Sequence, residues 1–218
     1  NTYLRQCIDK YPQRFWGICM VDLTLSNAPK ILRSELKENG LHGVRLPAMS
    51  LSRRPDLWEM AVECKAVISV LGLQPHDLGQ VERLRAFLEK YPTARLKIEH
   101  LGYPEPSEPP PYATYQRVMD LSQFKGVFLQ FSSPYTQSKK AYPYEDLLPF
   151  IEMAKQHFAP NRIVWGSCYP PVEKYMTYAQ SLAWFGTLGL KDTHRDNALW
   201  QNAVRLMDPR KKKVVAET

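Results

Sequence analysis

Three residues with chemistry to offer each stand at or near the end of an apolar run. Cys168 follows "RIVWGS" and precedes Tyr169 and two prolines, His100 follows "RLKIE", and Arg45 lies in "HGVRLP". A thiol at such a place can act as a nucleophile, bind a metal as thiolate, or simply pack as a free, partly buried side chain. A cysteine nucleophile wants a base within hydrogen-bond reach; His100 is the candidate base. Arg45 can clamp a substrate carboxylate, because guanidinium and carboxylate match bidentately, or it can hold a structural ion pair. His42, His157 and His194 have no metal-ligand spacing and are expected at the surface.

The elements that would position these residues alternate between two periods. Short, nearly continuous apolar segments ("FWGICMVD", "HGVRLP", "KAVISVLG", "RLKIEHLG", "KGVFLQFS", "RIVWGS") suit parallel strands covered on both faces. Between them run amphipathic stretches. Leu4, Cys7, Ile8 and Tyr11 share one helical face, as do Leu78, Val81, Leu84 and Leu88. Leu147, Leu148, Ile151, Ala154 and Phe158 form a third such face despite Pro149, and Leu199, Ala203, Leu206 and Met207 a fourth. Six strand-then-helix units at intervals of roughly 25 to 35 residues predict an α/β fold of (β/α)8 TIM-barrel type, incomplete, with about six of its units. Residues 1–207 are expected to form the barrel domain and 208–218 a basic tail. The longest loop, "YPEPSEPPPY" after the fourth strand, is stiff with proline and cannot be helical.

Composition narrows the function classes. The 218 residues are 44% hydrophobic and 23% charged, ordinary for a globular protein. No apolar run reaches the roughly 18 residues of a membrane span. The net charge of +7 falls to +3 without the run Arg210–Lys213, and no basic stripe interleaved with aromatics predicts nucleic-acid binding. The four cysteines form no C-x-x-C pair, which speaks against a zinc knuckle. Cys19 and Cys64 are expected to be buried thiols in a reducing compartment, cytoplasmic or organellar. The five tryptophans are expected to pack in the core and at interfaces.

Taken in order, "RLKIEHLGYP", "NRIVWGSCYP" and "NALWQNAVRLM", with the opening "NTYLRQCIDKYPQRFWGICMVD" and "HGVRL", resemble the amidohydrolase-2 family. That family comprises metal-dependent hydrolases and decarboxylases and the metal-independent 2-pyrone-4,6-dicarboxylate lactonase group. The resemblance runs from Asn1 to about Met207. It implies a (β/α)8 barrel with its chemistry at the carboxyl ends of the strands, a His-x-His pair on strand one, and histidines on strands five and six. It also implies an Asp on strand eight within Trp-Gly-Ser-Asp-x-Pro, serving as metal ligand and general base. Strands one and two would precede Asn1. The strand-five histidine would fall at Leu71–Leu73, where no residue can bind a metal. His76 lies beside Asp77, where a helix-capping role is expected. His100 is the surviving ligand position, with Glu99 for the usual Asp, Gln130 stands for the strand-seven Lys, and Cys168 for the strand-eight Asp.

On this pattern Cys168 reads as a relic: Trp165, Gly166, Ser167 and Pro170 keep the frame while the carboxylate is gone. The expected function is that of a non-catalytic, amidohydrolase-like structural or accessory subunit, with no cofactor and with other protein subunits as partners. A six-unit barrel leaves open sheet edges, so either about 60 further residues before Asn1 or another chain is expected to cover them. The alternative is an active lactonase-type hydrolase of a small carboxylated substrate, with His100, Arg45 and Cys168 as its pocket and zinc if a metal is used. A small-molecule binding module is the third possibility.

Overall fold

The computed structural model of the chain describes residues 1–207, so the basic tail lies outside the described residues. Six parallel strands form one sheet in strict sequence order: β1 (Ile18–Cys19), β2 (Gly43–Pro47), β3 (Val67–Leu71), β4 (Arg95–Ile98), β5 (Val127–Phe131) and β6 (Ile163–Trp165). All six expected strands are present. Each strand hands over to helix: α1 (Thr2–Lys10) precedes β1, α2 (Ala28–Lys37) follows it, and α3 (Ser50–Arg53) and α4 (Pro55–Glu63) follow β2. Then come α5 (Leu78–Lys90), α6 (Ala113–Met119) and α7 (Leu148–His157), one after each of β3 to β5. After β6 the chain closes with α8 (Tyr178–Gly186), α9 (Asp192–Leu199) and α10 (Gln201–Met207).

Alternation along the strands divides the molecule into an inside and an outside. Val44, Leu46, Ile68, Val70, Leu96, Ile98, Val127, Leu129 and Phe131 are fully buried in the large core beneath the helices. Their neighbours Val67, Phe128 and Val164 belong to a separate small cluster with Leu206 of α10. That cluster is the floor of the barrel interior, and α10 plugs it. Asn202, fully buried, fixes the plug: its Nδ2 donates to the carbonyls of Pro160 (2.8 Å) and Ile163 (2.7 Å).

The sheet does not close among the described residues; β1 pairs only with β2, and β6 only with β5. Across the gap Trp16 meets Trp200, ring centroids 6.2 Å apart. Beside them lies a cleft of about 240 Å³ lined by residues before β1, the inner faces of β4 to β6, and α10.

Several helical faces differ from expectation. Leu78 and Leu148 are exposed, because α5 and α7 begin at those residues and their first turns face solvent. Pro149 is therefore harmless: it sits in the first turn, where its missing N–H has no helical partner to lose. The last run breaks at Trp200 into α9 and α10, and its buried residues are Ala198, Asn202, Val204 and Leu206. Asp77, not His76, caps α5, accepting from Gln80 N at 3.2 Å, and His76 is exposed. His42, His157 and His194 are half-buried rather than at the surface. Backbone N–H of Gly17 donates to His42 Nδ1, and Gln116 meets His157 Nε2. Cys64 is half-buried, whereas Cys19 is fully buried, its thiol pushed up to about 12 by burial and by Glu35.

Candidate active site at the carboxyl ends of the strands

Above the apolar floor, the inner face turns polar. The register aligns Arg45 of β2 with Ser69 of β3, and Ser69 with Lys97 of β4. Gln130 of β5 lies on the same inner face. One step higher, just past the strand ends, come Glu99, His100, Ser132 and Cys168. The three expected pocket residues, Arg45, His100 and Cys168, are thus brought together.

Glu99 is the hub. Arg45 donates from Nε to both of its oxygens (3.0 and 3.2 Å) and from Nη2 to Oε2 (2.6 Å). Ser69 Oγ donates to Oε1 at 2.5 Å, and Lys97 Nζ stands 4.0 Å away. Burial alone would raise the Glu99 pKa, yet Arg45, Lys97 and Ser69 outweigh it and hold the carboxyl below its ordinary range. Arg45 is consequently the ion pair that one of its two expected roles required, but its Nη1 makes no hydrogen bond to the described residues. Lys97 is pushed below its ordinary value by burial, with Glu99 only partly compensating.

His100 bridges this hub to the thiol. Its Nε2 is 3.6 Å from Glu99 Oε2, while Nδ1 is 2.9 Å from Ser132 Oγ and 3.8 Å from Cys168 Sγ. Burial lowers its pKa, Glu99 opposes the shift, and Arg45 and Lys97 add to it. Burial thus favours the neutral imidazole, whose Nδ1 faces Ser132 and Cys168. Tyr103 packs edge-on against the ring at 5.4 Å and anchors its own hydroxyl by accepting from Gly72 N at 2.7 Å.

The backbone at these strand ends is unusual. His100, Leu101, Ser133 and Cys168 all have left-handed φ, between 49° and 56°. For residues with a Cβ each costs on the order of 1 kcal/mol or more, and such strain gathers where side chains must be aimed. Gly166 answers a different demand, since a Cβ there would lie 2.0 Å from Gln130 Nε2. Glycine lets the Gln130 amide lie against the strand end; a side chain at residue 166 would make it move.

A zinc ion that activates water needs three or four N, O or S donors and an open position. Glu99 is committed to Arg45 and Ser69, so His100 and Cys168 are the donors that remain. No group of three suitable side chains occurs among the described residues, and Leu71–Leu73 offer none. Among the described residues this donor set does not by itself fit zinc.

Sequence reasoning missed Lys97, Ser69 and Ser132. The signal was available: period-two alternation puts Lys97 on the same face as Glu99, and Ser132 on the same face as Gln130.

Solved structures share this fold. A probable 2-pyrone-4,6-dicarboxylic acid hydrolase from Acinetobacter baumannii superposes with a TM-score of 0.75 at 22% identity, covering 95% of this chain and 78% of that one. A zinc-bound amidohydrolase from Burkholderia multivorans gives 0.76 at 18% identity, covering 94% and 78%. Among curated proteins, an L-fucono-1,5-lactonase from Burkholderia ambifaria is 25% identical over 178 residues, 75% of this chain. The chain spans 59% of that relative's length. The model of the amidohydrolase family Amidohydro_2 matches residues 1–208, essentially everything described above, and the chain belongs to that family.

Proposed function

We propose that the chain acts as a lactonase-type hydrolase on a small carboxylated cyclic ester. The observation that carries this reading is the inner-face cluster of Arg45, Lys97, Glu99, His100 and Ser132 at the carboxyl ends of the strands. Two basic side chains, Arg45 and Lys97, face a single carboxylate there, which leaves basic capacity in surplus for an anionic substrate. Arg45 Nη1 supplies an uncommitted donor, and a neutral imidazole supplies a base. Ring opening of a lactone asks for these groups: a proton acceptor during attack, positive charge near the developing oxyanion, and a proton donor for the departing alkoxide. The family and its lactonase relative support hydrolysis better than the non-catalytic role expected from the sequence. The test is a pH-stat assay over a panel of γ- and δ-lactones with and without a ring carboxylate. Carboxylated lactones are expected to turn over, with His100→Asn lowering kcat by about 100-fold and Arg45→Met raising KM. Absence of turnover across the panel defeats the reading.

A role as a structural subunit is the second reading, favoured by the outer edges of β1 and β6, which have no partner strand among the described residues. It predicts a stoichiometric partner, seen by light scattering on protein isolated from its source; a single-chain mass there counts against it.

A further inference from the structure

We propose that Cys168 is a nucleophile that forms a covalent thioester with the substrate, with His100 as its base. The inference depends on the hydrolase reading for its substrate but not for the reactivity of the thiol.

The geometry is that of a thiol, an imidazole and a carboxylate in sequence. Cys168 Sγ lies 3.8 Å from His100 Nδ1, and His100 Nε2 lies 3.6 Å from Glu99 Oε2. Glu99 cannot drift, because Arg45 and Ser69 hold it. With its oxygen 3.6 Å from Nε2 it favours the proton on that nitrogen, so Nδ1 is the acceptor that Ser132 and the thiol share. Ser132 Oγ is nearer to Nδ1, at 2.9 Å, but Ser132 is only 2% exposed and beyond a substrate's reach. Its hydroxyl steadies the imidazole, whereas half-buried Cys168 is accessible.

Two further observations point the same way. Cys168 itself carries a left-handed φ of 54°, and its carbonyl accepts from Val172 N at 3.1 Å, which fixes the turn that aims the side chain. A packing cysteine needs no such conformation: Cys7, Cys19 and Cys64 all have ordinary φ. Beside the thiol, Tyr135 stacks flat on Tyr175 at 4.2 Å, a wall suited to a ring.

The step balances without any oxidant or co-reactant. The Cys168 proton passes to His100 Nδ1 as sulfur bonds to the lactone carbonyl carbon. The ring C–O bond then breaks, and its alkoxide takes the proton back from Nδ1, leaving a thioester that bears a free hydroxyl. Water, deprotonated by His100, attacks the thioester; the C–S bond breaks and the thiolate regains the proton.

The test has two arms on the intact chain. The first is limiting iodoacetamide at neutral pH with peptide mass spectrometry, comparing Cys168 with the equally half-buried Cys7 and Cys64. Cys168 is expected to react about tenfold faster or more, and to lose that advantage in His100→Asn. Equal rates overturn the proposal. The second is acid quench after mixing with a carboxylated γ-lactone. Because ring opening expels nothing, the Cys168 peptide should gain the whole mass of the lactone. Turnover that persists in Cys168→Ala overturns the nucleophile and leaves the hydrolase reading intact. Fast, His100-dependent alkylation without lactone turnover supports the nucleophile and defeats the lactonase reading instead.

Discussion

Arg45 on β2 and Glu99 past the end of β4 are joined across the intervening strand by hydrogen bonds from two guanidinium nitrogens, while Ser69 of β3 completes the carboxylate's shell. Three neighbouring strands are thus stitched at one height, on the side where the barrel is polar. Removing the cation leaves Glu99 buried and charged. Arg45→Met is expected to lower stability by about 2 kcal/mol, less than for a fully enclosed pair because Arg45 is a third exposed. The double variant Arg45→Met/Glu99→Gln should recover much of the loss. Urea midpoints check both, and an additive double variant excludes the coupling.

Acid should weaken the fold through the same cluster. Glu99 and His100 both have folded-state pKa values below their unfolded ones, so the unfolded chain takes up protons first as pH falls. Their stabilisation is complete above the unfolded values of 4.5 and 6.5 respectively, and is lost as pH drops through each folded value. Thermal midpoints should therefore decline in two stages below neutrality. His100→Asn should flatten the upper stage and Glu99→Gln the lower one; a profile unchanged by either variant contradicts the assignment.

Lys97 is buried and its charge is already disfavoured, so Lys97→Met should leave stability within about 1 kcal/mol of wild type. Binding of a carboxylated ligand should nevertheless weaken by about tenfold. Calorimetry with a non-hydrolysable dicarboxylate measures this directly, and unchanged affinity removes Lys97 from the anion site.

Gly166→Ala is expected to displace the Gln130 amide and destabilise by about 1 kcal/mol. Gln130→Ala should relieve that clash, so the double variant is predicted to be more stable than Gly166→Ala alone. Denaturant unfolding of the three proteins settles the coupling.

Asn202→Ala strips the buried Ile163 carbonyl and the part-buried Pro160 carbonyl of their donor and should cost about 2 kcal/mol, seen in chemical denaturation. The effect should be larger than that of Arg205→Ala, whose bonds to Asn161 and Asn202 lie nearer the surface.

The order of strands was legible because continuous apolar runs of Val, Ile and Leu can hardly be anything else in a parallel sheet. Helix starts were less so: Leu78 and Leu148 fit a hydrophobic stripe, yet they occupy first turns that the core does not reach. The meeting of Arg45, His100 and Cys168 followed from knowing where strands end. What they do to one another did not. His100 owes its direction to left-handed backbone at residues 100 and 101, and no residue type there announces it. Cys168 reads as a lost carboxylate when compared with a motif, and as the neighbour of an imidazole only when distances are known.

The open side of the sheet has one more consequence. The cleft between β1 and β6 is lined by Lys97 and Gln130, the same side chains that form the polar layer beneath Glu99. Among the described residues the interior can thus be approached from the side as well as from above. Whatever rests in that cleft, solvent included, sets the dielectric around Lys97 and so tunes the charge of the layer from behind.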